Sequence, residues 1–295
     1  MKRKLVRQGA ATMMISLPTK WIKQNKLEKG SEVNLEEKGE ELIINAGDKA
    51  PKKSIELNIN SLVESSVRTV LINAYRLGYD KIKINYNGKD AIKVISHIVD
   101  RHTIGFEITK KGENFCEIEN ITEPSKDQFD NIFSKILLNI DEIFEITEKM
   151  LKGEKLEFHE QEEKILQYAN FCRRVIAKNS FEDYALKWAF HAEMIHGQRE
   201  LYHMLKYLEK NKIKPEKEVF DLLDECKKMF ELLKQAHKEK DLVKIEKIHE
   251  IEKEITYKKG YLILNKTKNP IIIHHILKSI RSFYLASSPL AGINI

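Results

Sequence analysis

Residues 6–44 read VRQGAATMMISLPTKWIKQNKLEKGSEVNLEEKGEELII, and the fold of the N-terminal unit follows from their punctuation. Lys4–Gln8 alternates as a short strand. Gly9-Ala10-Ala11 turns the chain, and Thr12–Leu17 forms a second strand that ends at Pro18, which has no N–H to donate to a ladder. Pro18 suits the first position of a helix of one or two turns. That helix, Thr19 to Asn25, turns Trp21 and Ile22 inward, and Leu27-Glu28-Lys29-Gly30 closes it with a glycine at a left-handed position. Val33–Leu35 and Leu42–Ile44 then pair as a hairpin around Lys38-Gly39. So short a β unit holds too few apolar residues to bury a core and is expected to complete one by dimerising.

The same stretch concentrates charge. From Met1 to Leu27 the chain carries Lys2, Arg3, Lys4, Arg7, Lys20, Lys23 and Lys26 and no acidic residue, whereas the rest of the chain is nearly balanced and the formal net charge is only +6. A positive field confined to one small module points to a polyanionic partner rather than to general solubility.

The order of strand, Ser/Thr-bearing second strand ending in Pro18, basic helix, Leu27-x-x-Gly30 turn, Val33 strand and Leu42–Ile44 strand resembles the AbrB/MazE/SpoVT swapped-hairpin domain over residues 3–45. The resemblance implies two chains that interleave their hairpins, with basic residues of the first strand and short helix facing DNA. On this sequence those positions are Arg3, Lys4, Arg7, Lys20 and Lys23, with Ser16 and Thr19 as hydroxyl donors to phosphate. Lysine and arginine supply the salt-sensitive phosphate contacts, and any reading of base edges would fall to arginine. A pure dimerisation role is the competing use of such a module.

At 295 residues the chain exceeds one ordinary core, so two or three domains are expected. A composition of 42% hydrophobic and 33% charged residues fits a folded, water-soluble chain. No stretch approaches the roughly 20 apolar residues of a membrane span, and the first residues lack a secretory apolar core, so the expected location is the cytoplasm without membrane insertion. Cys116, Cys172 and Cys226 are far apart, each inside an apolar-periodic segment, and read as core residues rather than a disulfide or zinc framework.

A Gly/Pro/charged linker, Ala46 to Lys53, separates the swapped-hairpin unit, 1–46, from a small α/β sandwich, 54–122. Ile55, Leu57 and Ile59 alternate as a strand. Ser61-x-x-Glu64 is a capping box for a helix through Val67, Val70, Leu71 and Ala74 to Gly78. Ile82, Ile84 and Tyr86 alternate again, a second helix covers about Lys89 to Asp100, and strands Ile104–Thr109 and Phe115–Ile121 flank Lys111-Gly112. This β-α-β-α-β-β order gives a mixed sheet with helices on one face and nothing of catalytic spacing. His97 and His102 read as residues favoured at a helix C-terminus by its dipole.

From Ser125 the period becomes helical. Phe129, Ile132, Phe133, Ile136, Leu137, Ile140, Ile143 and Phe144 form one stripe, and further helices are expected at about 160–178, 182–210, 216–238, 241–264 and 271–288. The fold class is therefore α+β multidomain, ending in an all-α six-helix domain over 125–290. Six apolar-striped helices behind a swapped-hairpin module resemble archaeal proteins of the PhoU family of phosphate-uptake regulators. That resemblance implies two three-helix bundles and a repeated acidic E-x-x-x-D motif that binds metal clusters. The chain departs from the motif. Its third helix reads Glu193-Met194-Ile195-His196-Gly197 and its last reads Ser279-Ile280-Arg281-Ser282-Phe283-Tyr284, leaving only Glu246 and Glu250 four apart on one face. No cofactor is expected.

A rival reading is a di-metal carboxylate bundle, since Glu193-x-x-His196 and Glu246-x-x-His249 place Glu and His on one face of two helices, with Glu142, Glu145 and Glu163 as further ligands. Both copies lie at the edges of their apolar stripes. Trp188, Phe190, Tyr202 and Phe220 fall at core spacing, and no phosphate loop, nucleophile elbow or Cys-His dyad occurs. The reading is thus a non-enzymatic, homodimeric, DNA-binding transcriptional regulator of phosphate uptake or related ion homeostasis, with a PhoU-like sensor or adaptor domain. The alternative is an adaptor acting on a phosphate transporter or kinase, with the first module serving only to dimerise.

Overall fold

The computed structural model describes residues 2–9, 11–38, 41–46, 52–60, 63–88, 90–122, 125, 128–179 and 181–295. Ala10, Gly39, the linker segment 47–51 and Ser61 of the expected capping box lie outside them. The chain divides into two compact units, residues 1–52 and 53–295.

In the first unit β1 (Val6–Gln8) and β2 (Thr12–Met14) pair antiparallel with Arg7 opposite Met13. Helix α1 (Thr19–Gln24) follows, and β3 (Val33–Lys38) and β4 (Glu41–Ala46) form a second antiparallel pair with Leu35 opposite Ile44. Pro18 occupies the N-cap, one position before that expected, in an extended conformation that leaves Thr19 as the first helical residue. The helix ends differently from expectation. Lys26 adopts the left-handed conformation (φ 53°), the Lys26 amide donates to the Lys23 carbonyl and the Leu27 amide to the Ile22 carbonyl. This is a Schellman closure with lysine at the usual glycine position, while Gly30 (φ +90°) serves the next turn, ahead of β3.

The second unit opens with a four-stranded sheet ordered β5-β6-β8-β7, built from β5 (Ser54–Ile59), β6 (Lys81–Tyr86), β7 (Phe106–Lys111) and β8 (Phe115–Asn120). β5 and β6 are parallel, joined through α2 (Glu64–Arg76), and α3 (Ala91–His102) leads into the antiparallel pair β7-β8. Alternation sorts the faces. Ile82, Ile84, Tyr86, Cys116 and Ile118 are buried with Val67, Leu71, Tyr75, Ile95 and Ile98 of the helices. On the other face Lys81 pairs with Glu117 (2.7 Å) and Glu119 (3.1 Å), and Lys83 with Glu56 (2.9 Å), as suits a sheet with one wet side.

The remaining helices are α4 (Gln128–Leu151), α5 (His159–Lys178), α6 (Tyr184–Lys210), α7 (Lys217–Glu239), α8 (Leu242–Glu254), α9 (Tyr261–Lys266) and α10 (Pro270–Asn294). A π-helical turn, Ile255–Gly260, joins α8 to α9 without a break, where the periodicity predicts a single helix. Residues from α4 to α10 share one contiguous apolar core that includes Phe133, Ile140, Cys172, Leu201, Phe230, Ile276 and Phe283. Helix α10 runs along α6 at close range. A Cβ on Gly197 would stand 2.6 Å from the Phe283 ring, and the Ser279 hydroxyl donates to the Gly197 carbonyl at 2.9 Å. The stretches that depart from the acidic motif are therefore where α6 and α10 pack against each other.

Sheet and helices are joined by a polar seam along one face of α5. Gln167 donates to the Thr103 carbonyl (3.0 Å), Asn170 to the His102 carbonyl (2.8 Å), and Arg76 to Asn170 Oδ1 (2.6 and 2.9 Å). The fully buried Arg174 donates to the Tyr75 and Tyr79 carbonyls and to Asp80, its guanidinium lying over the Phe106 ring at 4.8 Å.

Candidate nucleic-acid interface

Among its described residues the first unit has cations, hydroxyls and apolar side chains but no buried core. No described residue of 2–46 is buried, and Leu5, Val6, Met13, Leu35 and Leu42 are each more than half exposed (64%, 58%, 57%, 61% and 52%). Register places the apolar residues together. Leu35 and Ile44 face each other across β3-β4, and Val33 and Leu42 lie on the same side of that hairpin by alternation. Two-stranded hairpins are at best marginally stable in water, so an uncovered face of this kind calls for a further layer.

Each residue expected to meet DNA is exposed. Arg3 and Lys4 lie in the segment before β1, Arg7 is the central residue of β1, Ser16 follows β2, and Thr19 opens α1. Lys20 and Lys23 are one turn apart on α1, away from the half-buried Trp21 and Ile22, so the helix offers one cationic and one apolar side. Among the described residues, Arg3, Lys4, Lys20 and Lys23 form no ion pair. Lys26, part of the basic run but not among the residues expected at the DNA, stands just past the carboxyl end of α1 and is exposed.

The metal candidates fall elsewhere. Glu193 and His196 lie one turn apart on α6 at 3.6 Å, with His196 exposed. On α8, Glu246 and Glu250 are exposed, while His249 is within hydrogen-bond reach of the Ser287 hydroxyl (3.3 Å) and meets the Tyr284 ring. Among the described residues no three His, Cys, Asp or Glu side chains come together in an arrangement able to hold a metal ion, so the two Glu-x-x-His motifs do not share a centre. Of the further ligands such a centre would need, Glu142 accepts from Gln161 and Glu163 pairs with Arg101. No helix among the described residues is long and apolar enough to cross a membrane.

Residues 6–57 match the family described as "Antidote-toxin recognition MazE, bacterial antitoxin". The unit is thus a swapped-hairpin domain of the MazE/AbrB type, a class whose members bind DNA and dimerise. The last matched positions enter β5, which pairs with β6 in the sheet of the second unit. No curated protein and no solved structure matches the chain.

Proposed function

We propose that the protein is a homodimeric DNA-binding transcriptional regulator whose first unit holds operator DNA and whose helical region acts as a PhoU-like sensor or adaptor in phosphate uptake or related ion homeostasis. One observation carries the reading: a swapped-hairpin domain with no buried core among its described residues displays an acid-free run of cations on exposed positions of β1 and α1. Interleaving two copies would cover Leu35, Leu42 and their neighbours and would double the cationic surface. Arg3, Lys4, Arg7, Lys20 and Lys23 then neutralise phosphates, and the Ser16 and Thr19 hydroxyls add neutral hydrogen bonds to the same backbone. Support for the regulatory half is the set of six helical rods with a common core, the number the phosphate-uptake regulators use.

Retention of the full chain on duplex DNA at low salt tests the proposal. The R3E/R7E/K23E variant is expected to lose retention while keeping its helical content. Unchanged retention would leave the first unit a dimerisation device and favour an adaptor acting on a transporter or kinase. Promoters recovered by chromatin immunoprecipitation of the tagged protein would identify the regulated pathway.

A further inference from the structure

At one end of the helical region a cavity of about 610 Å³ opens between α4, the start of α6, and the last turns of α7 and α10. Its volume lies in the range of small-molecule sites. The walls are ring faces. Phe133 lies 4.4 Å from the His191 ring and 5.0 Å from the His237 ring, centroid to centroid, and Phe190 stacks on His237 at 5.5 Å.

Among the described residues, two polar atoms in this aromatic wall have no partner. His191 is 2% exposed, yet its Nδ1 makes no hydrogen bond, and the buried Nδ1 of His237 is in the same position. A buried polar atom left unpaired is destabilising until a hydrogen-bonding partner is supplied. Burial, with Arg173, His237 and Lys187 adding to it, pushes the His191 imidazole down to about 3, and burial also lowers His237. Both rings are therefore neutral at neutral pH, and each can present Nδ1 as a donor or an acceptor according to its tautomer.

The rim supplies the charge. Lys187 is paired with Asp183, and Lys234 with Asp141 and Glu231. Lys238 and Lys240 are exposed and without an ion pair among the described residues, opposed on the rim only by the exposed Asp130. An aromatic slot with two neutral hydrogen-bonding rings at its wall and unpaired ammonium groups at its mouth selects for shape and sign together.

We propose that this cavity binds a small planar aromatic anion, its ring against Phe133, Phe190 and the two imidazoles and its acidic group toward Lys238 and Lys240. The site would give the helical region a signal to read, and it involves none of the residues assigned to DNA in the first unit.

The test is titration of the full-length, ¹⁵N-histidine-labelled protein with 1-naphthoate, without DNA, read by NMR at the His191 and His237 rings. Saturable shifts of both rings are expected. Binding should weaken about tenfold or more for naphthalene-1-methanol, which lacks the charge, for cyclohexanecarboxylate, which lacks the aromatic face, and for the K238E/K240E variant, whose substitutions are exposed and should leave the fold intact. Lack of saturation overturns the proposal, as does equal affinity for either comparison compound or for the variant. Because DNA takes no part, failure here leaves the DNA-binding reading standing, and failure of DNA binding leaves this site standing.

Discussion

The guanidinium of Arg174 lies 2.8 Å from the carboxylate of Asp80, fully buried, and so fastens α5 to the start of β6. Lys178 meets the same carboxylate, and the Lys53 amide donates to its second oxygen at 3.0 Å. Burial by itself would raise the Asp80 carboxyl. The hydrogen bonds from Lys178 and Lys53 and the charges of Lys178 and Arg174 outweigh it and hold the group below the usual carboxylate value. Removing the carboxylate strands the buried Arg174 charge in the interior, so Asp80→Asn should cost about 3–5 kcal/mol in urea unfolding. A loss under about 1 kcal/mol would show that water reaches the pair. The sign with pH follows from the lowered value: the contribution of Asp80 is present above the unfolded value of about 4 and is lost as pH falls through the folded one.

Two other buried groups give opposite pH dependences. His191, pushed down to about 3, stays neutral in the folded chain while its unfolded counterpart takes a proton below about 6.5. Stability should fall across pH 6.5 to 4 by up to about 1.4 kcal/mol per unit from this group alone, and His191→Phe should flatten that slope. Glu162, raised to about 7 by burial against the hydrogen bond from Gln198 and the charge of Arg199, costs stability increasingly as pH rises from about 4 to 7. Glu162→Gln should therefore stabilise at pH 8, by on the order of 2 kcal/mol, and do little at pH 4. Equal effects at both pH values would contradict the assignment.

Lys26 holds a left-handed conformation that a side chain makes costly. Lys26→Gly should stabilise the closure of α1 by about 0.5–1 kcal/mol and slow hydrogen exchange of the Leu27 amide about two- to fivefold. Faster exchange would mean that the lysine side chain itself holds the turn.

The uncovered face of the β3-β4 hairpin predicts the oligomeric state. Sedimentation equilibrium should find the full chain dimeric at micromolar concentration, and the L35E/L42E variant monomeric. A wild-type chain that stays monomeric over the accessible range would remove the need for interleaved hairpins.

Much of this architecture is legible in the sequence because it rests on periodicity and turn residues. The β-α-β-α-β-β order, the alternation of Ile82, Ile84 and Tyr86, and the six helical rods are each local patterns. What the patterns do not carry is long-range. Glu163, Gln167, Asn170, Arg174 and Lys178 recur at helical spacing like a solvated stripe, yet they form the seam to the sheet and its helices, since their partners, backbone carbonyls, the Asp80 carboxylate and the guanidinium groups of Arg76 and Arg101, carry no sequence signature. Similarly, Gly197 reads as a gap in an acidic motif and is the point where Phe283 of α10 packs. The cationic run of the first unit is visible because charge needs no partner in the chain to be counted. Lys26 gives no sign of its capping role because glycine is the usual signal for that position.

Electropositive attraction to nucleic acid is the centre of the account, and the dependence of duplex-DNA affinity on salt measures it most directly. The full chain should show a steep linear fall of log K with log salt, and the R3E/R7E/K23E variant should flatten that slope by about one unit for each phosphate no longer neutralised. A slope that the three reversals leave unchanged, or a full chain that does not bind duplex DNA even at low salt, would contradict it.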